Sequence, residues 1–239
     1  MEAKDLDRAR EFCETVTAAL EQNRCEENRE AMEKYMKNHF SFFGIKSQER
    51  KRIVAPIMKE FQGIDEEERL KAAVLLFQKP ERECQYAALA FLEKGVKKAP
   101  EQAIETYKQL LQTKSWWDTV DPLASNLCGM YFLRYPDKLT PYTEAWRTSD
   151  HMWVRRSSLL HQLKYKEKTD EELFFSTIDT LKSEKEFFIE KAIGWALREY
   201  SKTNAAAVVR YLEMTDVRPL SRREGLKWLK NKHPELLSS

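Results

Sequence analysis

The residues best suited to chemistry lie in segment 114–122, which reads Lys-Ser-Trp-Trp-Asp-Thr-Val-Asp-Pro. Trp117 and Asp121 are four residues apart, so in a helix their side chains share one face. A carboxylate beside an indole is suited to stabilising positive charge that develops on a bound group. Pro122 leaves a second interpretation open, because it either kinks this helix or begins a new one with Asp121 as its N-cap.

Two further segments place an arginine one helical turn after a tryptophan. Trp153 precedes Arg156, and Trp195 precedes Arg198, each by three residues. In nucleic-acid binding, a guanidinium takes phosphate while an aromatic ring offers its face to a sugar or base. The same spacing is common where a helix buries tryptophan and extends arginine into solvent. The spacing alone therefore leaves both interpretations open.

Basic side chains cluster although the 239-residue chain is almost neutral. Its 41 Lys and Arg against 39 Asp and Glu give a net charge of +2, which excludes a simple polyanion-coating tail. Residues 1–30 carry five basic and nine acidic side chains, a net −4, so the remainder carries +6. A basic face for a phosphate backbone and a solvated, salt-bridged exterior both fit this distribution. The clusters are residues 50–52, 155–156, 164/166/168, 222–223 and 227/230/232.

Cysteine and histidine positions predict neither disulfides nor a metal site. The four cysteines form no C-x-x-C pair, and the four histidines are equally scattered. Packed thiols and surface imidazoles are expected, in a reduced, cytoplasmic compartment. No apolar stretch approaches the roughly 20 residues that span a bilayer. The charged first residues lack the apolar core of a signal peptide, so no membrane association is expected.

The hydrophobic pattern predicts an all-α fold. Apolar residues recur with helical spacing in nearly every segment, whereas period-2 alternation and Asn-Gly or Asp-Gly hairpins are absent from the sequence. Trp146 and Trp228 lie in apolar stripes and are predicted core residues. We predict about 13 helices, over residues 5–23, 27–39, 48–61, 66–78, 80–97, 101–112, 122–133, 137–147, 152–164, 170–181, 186–200, 204–212 and 221–232.

Local signals mark several helix starts. Pro80 and Pro100 suit first-turn positions, and Thr169 to Glu172 have the S/T-x-x-E form of a capping box. A weak 34-residue offset aligns Lys164 with Arg198, and Lys230 follows 32 residues later. Such a repeat predicts helix pairs stacked in a solenoid, with these three cations at equivalent positions. They are equally interpretable as last-turn cations that complement helix dipoles.

On these residues the chain resembles the AlkD-type DNA alkylation repair family, which are alkylpurine DNA glycosylases built from HEAT-like repeats. The resemblance spans about residues 27–232. It implies an all-α fold, an α-solenoid of HEAT-like antiparallel helix pairs with a concave DNA-binding face. It also implies a single domain over residues 1–239, with residues 1–25 as an N-terminal capping helix. The matching strings are Tyr35–Phe40, Gly44–Ile45, Thr113–Asp121, Gln162–Lys166 and Lys185–Tyr200.

The activity that the resemblance implies is hydrolysis of the N-glycosidic bond of N3- or N7-alkylated purines, such as 7-methylguanine and 3-methyladenine. The partner is double-stranded DNA carrying these lesions, in base excision repair without base flipping. A monomer is implied, cytoplasmic and nucleoid-associated when bound to DNA, with no cofactor and no metal.

The resemblance also assigns roles to individual residues. Where the family has a small polar residue after its aspartate, this chain has Pro122, which affects the local backbone. The implied roles are Asp121 as the catalytic carboxylate, Trp117 and Trp195 as aromatic walls, Arg156 as the phosphate-gripping arginine, Tyr35 as a residue near the lesion strand, and Lys164 and Arg198 as backbone contacts.

This chemistry is physically consistent with the residues. An alkylated purine is cationic and leaves as a neutral base, so no general acid has to protonate it. One carboxylate then stabilises the sugar as it becomes an oxocarbenium ion. Each tryptophan face adds about 0.5–2 kcal/mol of attraction for a cation.

Two other functions stay open from the sequence. A non-catalytic HEAT-like-repeat binder of damaged or branched DNA would keep the basic face without needing Asp121. A protein-binding scaffold would need neither the basic face nor the carboxylate of Asp121. The joint presence of Trp117, Asp121, Arg156 and Trp195 favours the glycosylase.

Overall fold

The structure, a computed structural model, describes residues 2–237. For residues 2–7 it describes the backbone alone, and Met1 and residues 238–239 of the predicted domain lie outside the described part. Helices account for the fold throughout residues 2–237, which contain an isolated bridge between Ser41 and Glu81 and no strand. The all-α prediction is confirmed. Cα packing divides the chain into two compact units, Met1–Lys114 and Ser115–Ser239; the single domain over residues 1–239 stays a prediction.

The first unit is built on α1, where the apolar stripe predicted from Leu6, Ala9, Phe12, Cys13, Val16 and Leu20 is buried from Ala9 onward, and the Leu6 side chain lies outside the described part. Ala9, Phe12, Val16 and Leu20 are all fully buried, and α1 packs on α3 and α4. Phe12 also stacks on Phe91 of α5, with ring centroids 3.8 Å apart. The helices are α1 (Glu2–Gln22), α2 (Glu26–Tyr35), α3 (Ser47–Glu60), α4 (Glu66–Gln78), α5 (Arg82–Gly95) and α6 (Ala103–Leu111), with a 3₁₀ turn at Val96–Lys98.

A buried carboxylate fixes the chain between α2 and α3. Glu83 is fully buried and accepts the backbone N–H groups of Phe43, Gly44 and Ile45 at 3.0, 2.9 and 3.0 Å. Gly44 has a φ of 89° and lies against the carbonyl of Cys25, where a Cβ would come within 2.0 Å of that oxygen. Only glycine satisfies both conditions.

The second unit packs its helices on a core that includes Leu160, Ile178, Ile193 and Leu197. Helix α12 lies against α10, α13, α14 and α15. The elements are α7 (Trp117–Pro122), a π-helical segment (Leu123–Cys128), α8 (Gly129–Arg134), α9 (Leu139–Arg147), α10 (Met152–Leu160), α11 (Glu171–Leu181), α12 (Phe187–Ser201), α13 (Ala205–Met214), α14 (Pro219–Gly225) and α15 (Lys227–Lys232), with 3₁₀ turns at Pro136–Lys138, Lys166–Lys168 and Pro234–Leu237.

Several predicted helix ends are corrected. Helix α4 matches residues 66–78, but the helix predicted to begin at Pro122 begins at Trp117 instead. Asp170, not Thr169, is the N-cap of α11, and its side chain accepts the N–H of Leu173 at 2.9 Å. Helices α5 and α6 begin two or three residues after the prolines that were predicted to lie in their first turns.

Side-chain burial agrees with the predicted core tryptophans and corrects the prediction for one histidine. Trp146 is buried as predicted, and Trp228 is partly buried against the core of the second unit. Cys13, Cys84 and Cys128 are packed thiols, and Cys25 is partly exposed. His161, predicted to be a surface imidazole, is fully buried, with Nε2 2.9 Å from the hydroxyl of Thr143. Along residues 2–237, no helix has both the length and the apolarity to cross a membrane.

Candidate active site

The helix that carries Asp121 begins one residue after an extended tryptophan. Trp116 is the N-cap of α7, and Pro122 lies inside the helix with φ −68° and ψ −35°. Proline lacks the N–H of one helical hydrogen bond, and the π-helical segment follows directly. Ser125 donates its hydroxyl to the carbonyl of Asp121 at 2.8 Å. Asp121 is therefore a residue of α7 and not an N-cap. Its side chain binds Arg156 of α10 and does not cap a helix.

The carboxylate of Asp121 forms a bidentate ion pair with Arg156 of α10. Arg156 Nε donates to Oδ1 at 2.8 Å, and Nη2 donates to Oδ2 at 2.9 Å. The side chain of Arg156 is 5% exposed and that of Asp121 is 14% exposed. The remaining nitrogen, Nη1, donates to the carbonyl of Phe188 at the start of α12. One guanidinium thus joins α7, α10 and α12, and the Asp121 side chain keeps a small exposed fraction.

Aromatic rings pack beside this ion pair. The ring centroids of Trp116 and Trp153 are 5.6 Å apart, those of Trp116 and Phe188 are 5.1 Å apart, and those of Trp153 and Phe188 are 4.8 Å apart. The guanidinium carbon of Arg156 lies 5.9 Å from the centroid of Phe188. Trp153 and Arg156 are both buried, so their spacing does not reflect an arginine extended into solvent. The cluster fixes the position of the arginine that holds Asp121.

Burial and the ion pair act on Asp121 in opposite directions. Burial raises the pKa of its carboxyl, the hydrogen bonds and positive charge of Arg156 lower it, and the nearby Asp118 raises it. Burial dominates, and the pKa lies above its ordinary value. A poorly hydrated carboxylate attracts a neighbouring cation more strongly than a fully hydrated one. The Asp121 carboxylate is therefore suited to stabilising positive charge on a bound group.

The two predicted aromatic walls are half-buried on α7 and α12. Trp117 lies one turn before Asp121 on α7, and Trp195 packs partly against the core of the second unit. Helix α7 contacts α10, and α10 contacts α12. The hydrogen bonds of Arg156 add a polar connection across the same three helices. Trp117, Asp121, Arg156 and Trp195 therefore come from one set of packed helices within the second unit.

The predicted basic contacts have carboxylate or amide partners. Lys164 donates to the side-chain oxygen of Asn126, and Arg198 Nη1 lies 3.1 Å from Oε2 of Glu224. Lys164 lies in the turn after α10, Arg198 lies within α12, and Lys230 lies within α15. Arg198 and Lys230 lie in the last turns of their helices and Lys164 follows its helix, so the equivalence of the three in a repeat stays a prediction.

Tyr35 belongs to the first unit. It is the last residue of α2 and is 71% exposed. Lys37 and Asn38 follow in the left-handed region, with φ of 54° and 57°. Its predicted position near the lesion strand stays a prediction.

Sequence reasoning missed the supporting role of three residues at the site. Phe188 supplies the carbonyl that Arg156 binds, and Trp116 and Trp153 complete the aromatic cluster. The signal for Trp116 and Phe188 was the density of aromatics in segments 116–117 and 187–188, whereas Trp153 was considered only as a nucleic-acid contact beside Arg156. Nothing in that density indicates which rings lie inside. Among the side chains that the structure describes, those of residues 8–237, no group of three or more His, Cys, Asp or Glu is arranged to hold a metal ion.

Comparison with known proteins agrees with this architecture. The family model of the DNA alkylation repair enzymes matches residues 16–229. A solved structure described as a predicted DNA alkylation repair enzyme from Enterococcus faecalis superposes with a TM-score of 0.81 at 33% identity. The match covers 86% of this chain and 96% of that one. A comparison with curated proteins gave no match.

The chain belongs to the DNA alkylation repair enzyme family. This membership supports a role in the repair of alkylated DNA.

Proposed function

We propose that this protein is an alkylpurine DNA glycosylase that releases N3- and N7-alkylated purines from duplex DNA. The observation that carries the proposal is the Asp121 carboxylate, which is held by both oxygens on a buried arginine while its side chain stays 14% exposed. The helices that bear Trp117 and Trp195 belong to the same packed set. Family membership supplies the class of substrate, and the carboxylate supplies the chemistry.

In the reaction, the bond between N9 of the purine and C1′ of the deoxyribose breaks. Its electron pair goes to the cationic base, which leaves neutral, so no acid is needed at the base. The positive charge passes to the sugar, where Asp121 stabilises it. Water then attacks C1′ and loses its proton to the carboxylate or to solvent.

We assign Arg156 a positioning role within this mechanism. Three of its five N–H donors bind Asp121 and the carbonyl of Phe188, and its side chain is only 5% exposed, so it is poorly placed to reach a phosphate. By binding both carboxylate oxygens, Arg156 holds Asp121 in one orientation, so the carboxylate does not have to reorient during the reaction. Trp117 and Trp195 offer their faces to the cationic base and sugar. Excision without base flipping follows from the resemblance and stays a prediction.

The test is release of base from duplex DNA that carries a single 7-methylguanine. Wild-type protein should release it, and Asp121→Asn should lower the rate by about 100-fold or more, because one electrostatic partner of the transition state is lost. DNA binding by Asp121→Asn should change little. If wild-type protein binds the duplex and releases nothing, the protein is a non-catalytic DNA binder. Binding that ignores salt from low to physiological concentration would instead favour a protein scaffold.

A further inference from the structure

A second charged cluster lies on the face of α12 that bears Trp195. Lys191, Trp195 and Arg198 are spaced by four and three residues, so their side chains lie on one face of the helix. Lys227, at the start of α15, joins them through a shared partner, Glu224 of α14. We call Lys191, Arg198, Lys227 and Glu224 the Glu224 cluster.

One carboxylate holds three cations in this cluster. Glu224 Oε1 lies 3.3 Å from Lys191 Nζ and 2.7 Å from Lys227 Nζ, and its Oε2 lies 3.1 Å from Arg198 Nη1. The Glu224 side chain is 7% exposed, whereas those of Lys191, Arg198 and Lys227 are 38%, 30% and 51% exposed. The carboxylate therefore lies beneath a layer of cations that faces solvent. Hydrogen bonds from Lys227 and then Lys191 lower the pKa of Glu224 to about 2, although burial raises it.

A glycine makes this arrangement sterically possible. A Cβ on Gly194 would lie 2.4 Å from Cβ of Glu224 and 3.0 Å from the carbonyl oxygen of Ser221. The absence of a side chain at Gly194 thus admits α14 and its glutamate against α12. Glu224 therefore lies against Gly194 and pairs with Lys191 and Arg198, which precede and follow Trp195 on α12.

Helix packing does not account for all three cations. The contact between α12 and α14 has its own ties, since Arg218 Nε pairs with Glu190 Oε1 at 2.9 Å and Ser221 donates to the carbonyl of Glu190 at 3.0 Å. One cation suffices to neutralise Glu224. Two further cations leave a local charge of +2 and repel one another. Within residues 8–237, whose side chains the structure describes, Lys191, Arg198 and Lys227 each form their ion pair with Glu224.

We infer that the Glu224 cluster is a binding site for backbone phosphates of DNA, next to the Trp195 wall of the site. The inference rests on the proposed function for its ligand, and it adds Lys191, Lys227 and their organiser Glu224 to the predicted contact of Arg198. Each ammonium and the guanidinium keep donors that Glu224 does not use, and all three side chains are partly exposed. A phosphate that binds there relieves the repulsion among the cations and gains charge-assisted hydrogen bonds.

The experiment measures the salt dependence of binding to an undamaged duplex by fluorescence anisotropy. Lys191→Ala, Arg198→Ala and Lys227→Ala are each compared with wild type across a range of KCl concentrations. Each loss of a phosphate contact should lower the slope of log K against log salt by about 1 in magnitude. The matched control is Lys182→Ala at the C-cap of α11, whose lysine is 32% exposed and pairs with Asp179 at 2.9 Å. It should keep the wild-type slope.

The inference is overturned if fewer than two of the three variants lower the slope, or if the control lowers it equally. Thermal melts accompany each variant, and glutamine replaces alanine at any position where alanine lowers the melting temperature. Because the duplex is undamaged, the result does not depend on catalysis. If the cluster variants lower the salt slope but the protein releases no base, the glycosylase proposal is refuted and the phosphate site is supported. Base release with unchanged slopes would refute the phosphate site alone.

Discussion

Arg156 engages both carboxylate oxygens of Asp121 across 35 residues of sequence, with Nε–Oδ1 and Nη2–Oδ2 distances of 2.8 and 2.9 Å. The pair is largely buried, and its arginine also binds the carbonyl of Phe188. The orientation of the proposed catalytic carboxylate and the packing of α10 against α12 therefore depend on one guanidinium. Removing that group should affect stability and chemistry together.

Replacing Arg156 with methionine should destabilise the fold. The variant leaves a buried carboxylate and a carbonyl without their donor, which costs about 3 kcal/mol of unfolding free energy. Urea denaturation measures this change. The double variant Asp121→Asn/Arg156→Met should recover part of the loss, because the unpaired charge is gone. An unchanged urea midpoint combined with weaker DNA binding would restore the phosphate-gripping role implied by the resemblance.

The same substitution should move the pH profile of base release. The active form of Asp121 is the carboxylate, so the rate should fall as the pH drops through its pKa, which burial places above the ordinary value. Arg156 lowers that pKa, so its loss should shift the acid limb of Arg156→Met to higher pH. Single-turnover rates across pH, corrected for spontaneous depurination, measure the shift. Coincident acid limbs in the two proteins would contradict the assigned role.

Buried His161 should make the fold sensitive to acid. Burial lowers its pKa to about 3, so between the ordinary value near 6.5 and 3 the unfolded chain binds a proton that the folded chain does not. Stability should therefore fall as the pH drops through this window, by up to about 1.4 kcal/mol per pH unit from this residue. Urea titrations of wild type and His161→Gln at several pH values measure the contribution. Parallel curves for the two proteins would refute it.

Gly194→Ala should disturb the contact between α12 and α14. The added Cβ meets Cβ of Glu224 at 2.4 Å, so one helix must shift, which costs about 1–3 kcal/mol by analogy with overpacked cores. Gly63→Ala is the matched control, because a Cβ at that position meets no atom within 4 Å. Thermal melts should separate the two variants. Equal melting temperatures would mean that Glu224 moves aside at little cost.

Trp195→Ala should slow the release of a cationic lesion more than its replacement by phenylalanine. Loss of one aromatic face removes about 0.5–2 kcal/mol of attraction for the cationic base or sugar, roughly 2- to 30-fold in rate. Phenylalanine keeps an aromatic face and should retain most of the activity. Single-turnover release of 7-methylguanine measures both variants. Equal rates for the alanine variant and wild type would exclude Trp195 as a wall.

Most of the helices were predictable because each carries a regular stripe of apolar residues in its sequence. The pattern of Ala9, Phe12, Val16 and Leu20 depends only on a period of 3.6 residues, and burial follows from it. Helix ends were less predictable, because they depend on single hydrogen bonds, as at Asp170. The start of α7 was missed because Pro122, normally a breaker, lies inside a helix here.

The residues proposed for the site could be selected from the sequence, but the contacts that their side chains make could not. Spacing placed Trp117 and Asp121 on one helical face, which required only local geometry. The partner of Asp121 lies 35 residues away, and local sequence carries no information on such a contact. The same holds for Glu224, whose cations come from two other helices. Arg156 was therefore predicted as a phosphate ligand, whereas tertiary packing directs it inward.

The π-helical segment Leu123–Cys128 sets the rotation of α7 about the helix axis relative to α8. A π turn accommodates one residue more than an α turn, so deleting a single residue between positions 123 and 128 should convert this stretch to ordinary α-helix. Because one residue corresponds to about 100° of rotation, α7 would turn by that angle relative to α8. Asp121 would then face away from Arg156. A length change within this stretch is therefore expected to inactivate the protein even where every proposed functional side chain is retained.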